Sequence, residues 1–168
     1  MKTLKYIVLI ITALTFVGCK MQYGLTQPTT TKAKTFQVNY FQNNAPLIEP
    51  GLERDFTNSL TDLVLNQTSL ALVRSGGDII YEGEITEYRI SPTTATADNT
   101  AAQNRLTISV NVRFYDKTDE DAELEQRFSF FYDYAGNAQL VGSQKDTAIT
   151  EIFDRLTQDI LNATLAKW

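Results

Sequence analysis

Residues 104–116 read NRLTISVNVRFYD. Leu106, Ile108, Val110, Val112 and Phe114 fall on one side of an extended chain, with Arg105, Thr107, Ser109, Asn111 and Arg113 on the other. An apolar residue at every second position means a strand with one buried and one wet face, which is how an antiparallel sheet covered on one side reads. This stretch decides the fold, because a helix would need its apolar residues three and four apart.

Its neighbours repeat the theme. Downstream, QRFSFFYDY (126–134) sets Phe128, Phe130, Tyr132 and Tyr134 on one side, and the acidic DKTDEDAELE (116–125) between the two runs suits a hairpin. Upstream, GDIIYEGEITEYRI (77–90) alternates through Tyr81, Gly83 and Ile85, then slips phase to Tyr88 and Ile90. The slip predicts a bulge or a change of burial near Glu87. The small-sided SPTTATADNTAA (91–102) reads as a long loop. Nearer the amino terminus, TFQVNYF (35–41) alternates at Phe36, Val38 and Tyr40. After the turn-rich QNNAPLIEPG (42–51), Leu52, Phe56, Leu60, Leu63 and Val64 recur at helical spacing, with Pro50 suited to a first helical turn. A second amphipathic helix carries Ile149, Ile152, Phe153, Leu156, Ile160 and Leu161, preceded by Ser143 and Asp146 at capping-box spacing. The expected order is β-α-β-β-β-α: an α+β, two-layer sandwich with two helices packed on one face of a four-stranded sheet.

Composition bounds the chemistry. The 168 residues contain one cysteine and no histidine. Nucleophilic catalysis needs a nucleophile and a base to activate it, and no glycine-flanked nucleophile or convergent carboxylate pair stands out, so the chain does not read as an enzyme. SGGD (75–78) is a turn before a strand and not a phosphate loop. The acidic run Asp119, Glu120, Asp121, Glu123, Glu125 lacks the glycine and terminal glutamate spacing of a calcium loop, and reads as a solvated hairpin tip. No cofactor or metal is expected.

The single cysteine lies in TALTFVGCK (12–20), behind Lys2, Lys5 and the mostly apolar YIVLIITALTFV. That run is short of the ~20 apolar residues a spanning helix needs. The arrangement resembles a bacterial lipoprotein signal, whose pattern ends in a small residue and a cysteine. The resemblance implies diacylglycerol on Cys19, cleavage after Gly18 and acylation (a palmitate, for instance) of the new amino terminus. A plain secretory signal with an incidental thiol is the alternative. Residues 1–18 would then be a signal peptide, 19–34 an acylated start and flexible tether, and 35–168 a single domain. Losing Lys2 and Lys5 leaves 13 basic and 20 acidic residues, a net charge of −7, which argues against a nucleic-acid partner.

On the wet sheet face, Arg105, Arg113 and Arg127 are candidates to meet the phosphates or carboxylates of an anionic partner. The competing reading is ordinary strand-surface charge partnered by nearby acids.

Three blocks, VNYFQNNAPLIEPGLERDFTNSL (38–60), GDIIYEGEITEY (77–88) and AAQNRLTISVNVRF (101–114), together resemble the LptE family of lipopolysaccharide-assembly lipoproteins in its Bacteroidetes-type form. The resemblance implies two helices against a four-stranded sheet. It also implies a lipid-anchored position on the periplasmic side of the outer membrane, inside a large β-barrel, LptD. There such a protein is a plug and assembly partner in the delivery of lipopolysaccharide, which some members bind. A lipid-anchored periplasmic adaptor that regulates an envelope enzyme or transporter is the alternative, since fold alone does not separate the two.

Overall fold

The structure is a computed structural model that describes residues 31–95, 101–135 and 138–165. Its elements in chain order are β1 (Thr35–Val38), β2 (Gln42–Asn43), α1 (Leu52–Gln67), β3 (Ala71–Leu72), β4 (Ile79–Ala95), β5 (Ala101–Asp116), a 3-10 turn (Glu120–Ala122), β6 (Leu124–Ala135) and α2 (Gly142–Thr164). Alternation in 104–116 becomes the central strand: Leu106, Ile108, Val110, Val112 and Phe114 are buried under the helices. β4, β5 and β6 form an antiparallel meander, and β1 lies parallel to β4 and to β3, giving the order β3-β1-β4-β5-β6. β2 continues beyond β1 along the same side of β4.

The α+β architecture with both helices on one face is as expected, but among the described residues the sheet is mixed and has six strands, not four. β2 and β3 have two residues each, too few to show any periodicity. Part of the expected loop 91–102 is also sheet. β4 runs to Ala95 and β5 starts at Ala101, while residues 96–100 lie outside the described residues. Tyr40 does not join Phe36 in the core. The chain leaves β1 at Val38, so Tyr40 is 59% exposed and Phe41 is buried instead. Phe41's backbone N–H donates to the Thr57 hydroxyl at 3.2 Å.

α1 begins after Gly51, whose φ of 84° suits a residue without a Cβ; Pro50 stands outside the first turn. α2 begins at Gly142 with no side-chain cap, so Ser143 lies in its first turn, Asp146 lies beyond it, and the two form no capping box. The helix faces read as expected: Leu52, Phe56, Leu60 and Val64 are buried on α1, and Ile152, Phe153, Leu156, Ile160 and Leu161 on α2. Phe56 joins the layers, its ring 4.9 Å from Phe41 and 5.2 Å from Phe153, edge to face. Deeper in, the Tyr81 hydroxyl hydrogen-bonds Thr164 Oγ1 at 2.8 Å, and burial raises its pKa far above the usual phenol range.

Phase slips where β4 bulges. The pairing steps from Ile85↔Val110 to Glu87↔Ser109 and leaves Thr86 without a directly paired residue. That extra residue returns Tyr88 to the core and Glu87 to the open face. Just before it, Gly83 lets two strands and a ring meet. A Cβ there would lie 2.7 Å from the Phe41 ring and in collision with the Asn111 carbonyl. Residues 31–34, expected within the tether, are held on the body. The Thr31 hydroxyl donates to Asp116, and the backbone N–H groups of Lys34 and Thr35 donate to the Asp78 carboxylate. Those bonds hold the Asp78 carboxyl below its ordinary range. Cys19 and the expected signal peptide lie outside the described residues.

Candidate functional site

With both helices on one side, no described element covers the other face of the β4-β5-β6 meander. Register sets its side chains in rows: Glu82–Arg113–Glu125, Glu84–Asn111–Arg127, Glu87–Ser109–Ser129, Arg89–Thr107–Phe131 and Ser91–Arg105–Asp133. Successive rows are ~7 Å apart, as strand geometry dictates.

All three arginines named from the sequence are on this face, and each is already paired. Arg105 meets Asp133 through two parallel bonds, Nε to Oδ1 at 2.7 Å and Nη2 to Oδ2 at 2.8 Å. Its guanidinium also lies 3.5 Å over the Phe131 ring. Asp133 is accordingly held below the ordinary carboxylate range by that hydrogen bond. Arg113 donates to Glu82 at 3.0 Å, and Glu82 also accepts from the Asn39 amide at 3.1 Å. Arg127 donates to Glu87 at 2.7 Å. The sequence brings together charges, but it does not bring the three arginines to one point. Arg113 and Arg105 are eight residues apart on β5, ~27 Å along the strand.

Glu87 is the residue that the sequence reading left out of the site. Its Oε1 accepts from Arg89 Nε at 2.7 Å and its Oε2 from Arg127 Nη2 at 2.7 Å and from the Ser109 hydroxyl at 2.9 Å. The Arg89 bond lowers its pKa most, with Ser109 and the charge of Arg127 adding to it against the cost of burial. Its one signal in the sequence is position: it sits where the alternation slips. The five rows contain four guanidiniums and five carboxylates. The face is therefore highly charged yet close to neutral, and an anionic ligand would have to share or displace a carboxylate already in place. Among the described residues no cluster of acids, cysteine or histidine suits a metal ion. None of their helices is long and apolar enough to cross a membrane.

The family model for lipopolysaccharide-assembly, LptE, matches residues 33–164. The chain belongs to the LptE family. Among curated proteins no sequence matches. Solved structures share the fold at low identity. Protein XCC0632 from Xanthomonas campestris superposes with a TM-score of 0.58 at 10% identity, covering 84% of this chain and 89% of that one. The hypothetical protein CT253 from Chlamydia trachomatis gives 0.55 at 11% identity, over 80% and 99%. An uncharacterized lipoprotein B from Nitrosomonas europaea gives 0.51 at 15%, over 77% and 80%. Membership in the LptE family connects the chain to lipopolysaccharide assembly, in a family of non-catalytic lipoproteins.

Proposed function

We propose that this LptE-family chain is an outer-membrane lipoprotein, anchored through an acylated Cys19 and facing the periplasm. It acts as plug and assembly partner of an LptD-like β-barrel that delivers lipopolysaccharide to the cell surface. It performs no chemistry of its own. The supporting observation is the bare sheet face, whose charges answer one another in place. Lumens of large barrels are polar and wet unless filled, and a face of exposed but mutually paired charges can enter one with little cost in unpaired charge. The helices bury the apolar sheet face internally, and the Phe131 ring that the open face exposes lies under the Arg105 guanidinium. Lipid anchoring would keep the plug beside the barrel and raise its effective concentration there.

In this reading Arg105, Arg113 and Arg127 contact the barrel wall or the glycolipid only by exchanging partners with Asp133, Glu82 and Glu87. The deciding experiment is a pull-down of the full-length protein, mildly solubilised from its native outer membrane, with mass spectrometry of its companions. A large β-barrel in equal amount is the expected result. A soluble or inner-membrane partner with no barrel overturns the plug and leaves a lipid-anchored adaptor of an envelope enzyme or transporter.

A further inference from the structure

β4 is paired on both sides only as far as Ile85. On one side β5 accompanies it to Ala95; on the other β1 and β2 end at the register Asn43↔Ile85, followed by the bond from Asn44 N–H to the Ile85 carbonyl at 2.9 Å. The direction of the main-chain groups follows from these bonds. Tyr81 and Ile85 present their carbonyls to the β1–β2 side, while Asp78 presents its own to Lys117 at the end of β5. After the one-residue bulge the outward set is Tyr88, Ile90 and Pro92. Among the described residues nothing pairs with that edge. Pro92 is where an open edge tolerates proline, since it has no N–H to leave unmet. The groups without a described strand partner are thus those of Ile90 and of Tyr88, ~7 Å away, a residue only 3% exposed overall.

Beside this edge lies a groove of about 470 Å³, the size of an ordinary ligand pocket. Pro46, Leu47 and Ile90 form its apolar side; Glu87, Arg89 and Arg127 form its polar side. Leu47 is 52% and Ile90 42% exposed. Two guanidiniums share the one carboxylate here, so this stretch of an acidic protein carries a net positive charge.

We infer that the groove receives an extended segment of a protein partner, which adds as a strand to β4 at Tyr88 and Ile90 and places an acidic side chain between Arg89 and Arg127. Main-chain donors and acceptors in register call for a peptide, which lipid chains cannot imitate. An apolar side chain of the incoming strand fills the space between Leu47 and Ile90, and its carboxylate neutralises the surplus guanidinium. A second copy of the chain fits poorly, because it would bring the same positive rim against itself. The inference rests on the reading above only in that the chain works against a protein partner.

The test places a benzoyl-phenylalanine photo-crosslinker at position 47 of the full-length lipoprotein in its native membranes, with mass spectrometry of the linked peptide. Ile90→Pro removes the outward N–H while leaving the β5 ladder intact. Ile90→Ala keeps the N–H and loses the side chain, and Arg89→Glu reverses the rim. Melting curves check that each variant is folded. The expected result is one linked segment containing Asp or Glu, its yield cut tenfold or more by Ile90→Pro and by Arg89→Glu and less than threefold by Ile90→Ala. Links to lipid alone, to a second copy of the chain, or equal in Ile90→Pro and Ile90→Ala, overturn it. A barrel that still co-purifies while position 47 links to nothing removes the groove and keeps the plug. A linked, Ile90→Pro-sensitive acidic segment from a protein that is not a barrel keeps the groove and removes the plug.

Discussion

Glu87 holds two arginines and a serine hydroxyl, and its ionised form is what they hold. Its carboxyl, like that of Asp133, titrates below its ordinary value in the folded chain. Both therefore contribute stability that is complete above the unfolded pKa of ~4 and is lost as pH falls through the lower folded values. Urea unfolding followed from pH 6 to pH 3 should show stability falling below about pH 4, and the fall should be shallower in Glu87→Gln. At pH 7 that substitution should cost ~1 kcal/mol, because both arginines are more than half exposed and water takes over most of what Glu87 supplied. Tyr81→Phe removes a buried hydroxyl whose partner, Thr164, also donates to the Ile160 carbonyl. Thr164 keeps that bond, so the loss should be about 1 kcal/mol in the same assay.

Among elements, β4 determines how the layers meet. Gly83→Ala pushes a methyl group against the Asn111 carbonyl and the Phe41 ring, neither of which is a flexible side-chain end. The strands must part there, and a loss of about 3 kcal/mol is expected from thermal or urea unfolding. Deleting Thr86 is predicted to be milder. It removes the bulge residue that has no directly paired partner, so Ile85, Glu87, Tyr88 and Ile90 keep their β5 partners and their faces, and the variant should still unfold cooperatively in the same assay. The long elements were legible because each showed its period over many residues: β5 through five alternating apolar positions, the helices through stripes. β2 and β3 were not, since a two-residue strand is defined only by its neighbour. The site was half legible for a related reason. Parity placed Arg105, Arg113 and Arg127 on the open face, but their partners are on other strands, and the pairing depends on register. A one-residue bulge shifts which acid meets which arginine, and a single chain of letters shows the bulge only as a slip near Glu87.

At the scale of the whole molecule, the helices and one sheet face enclose the core, while among the described residues nothing covers the opposite face or the β4 edge beyond Ile85. Folding and membrane attachment should therefore be separable. Cys19→Ser is expected to leave the melting temperature of the folded domain unchanged and to move the protein from the membrane to the soluble fraction of a cell lysate. Retention of the variant in the membrane fraction after a salt wash would show that something other than acyl chains holds it there.

The position of β1 has a mechanical consequence. It is the first strand among the described residues, yet it lies between β3 and β4, parallel to both. Tension arriving along the chain from the amino-terminal side reaches β1 before any other described element. There it pulls lengthwise on the ladders to two neighbours at once, so their bonds must shear together instead of unzipping one by one. Forced unfolding is governed by the height of that barrier and not by equilibrium stability. The domain is thus built to resist a pull from its amino-terminal side better than its modest size would suggest.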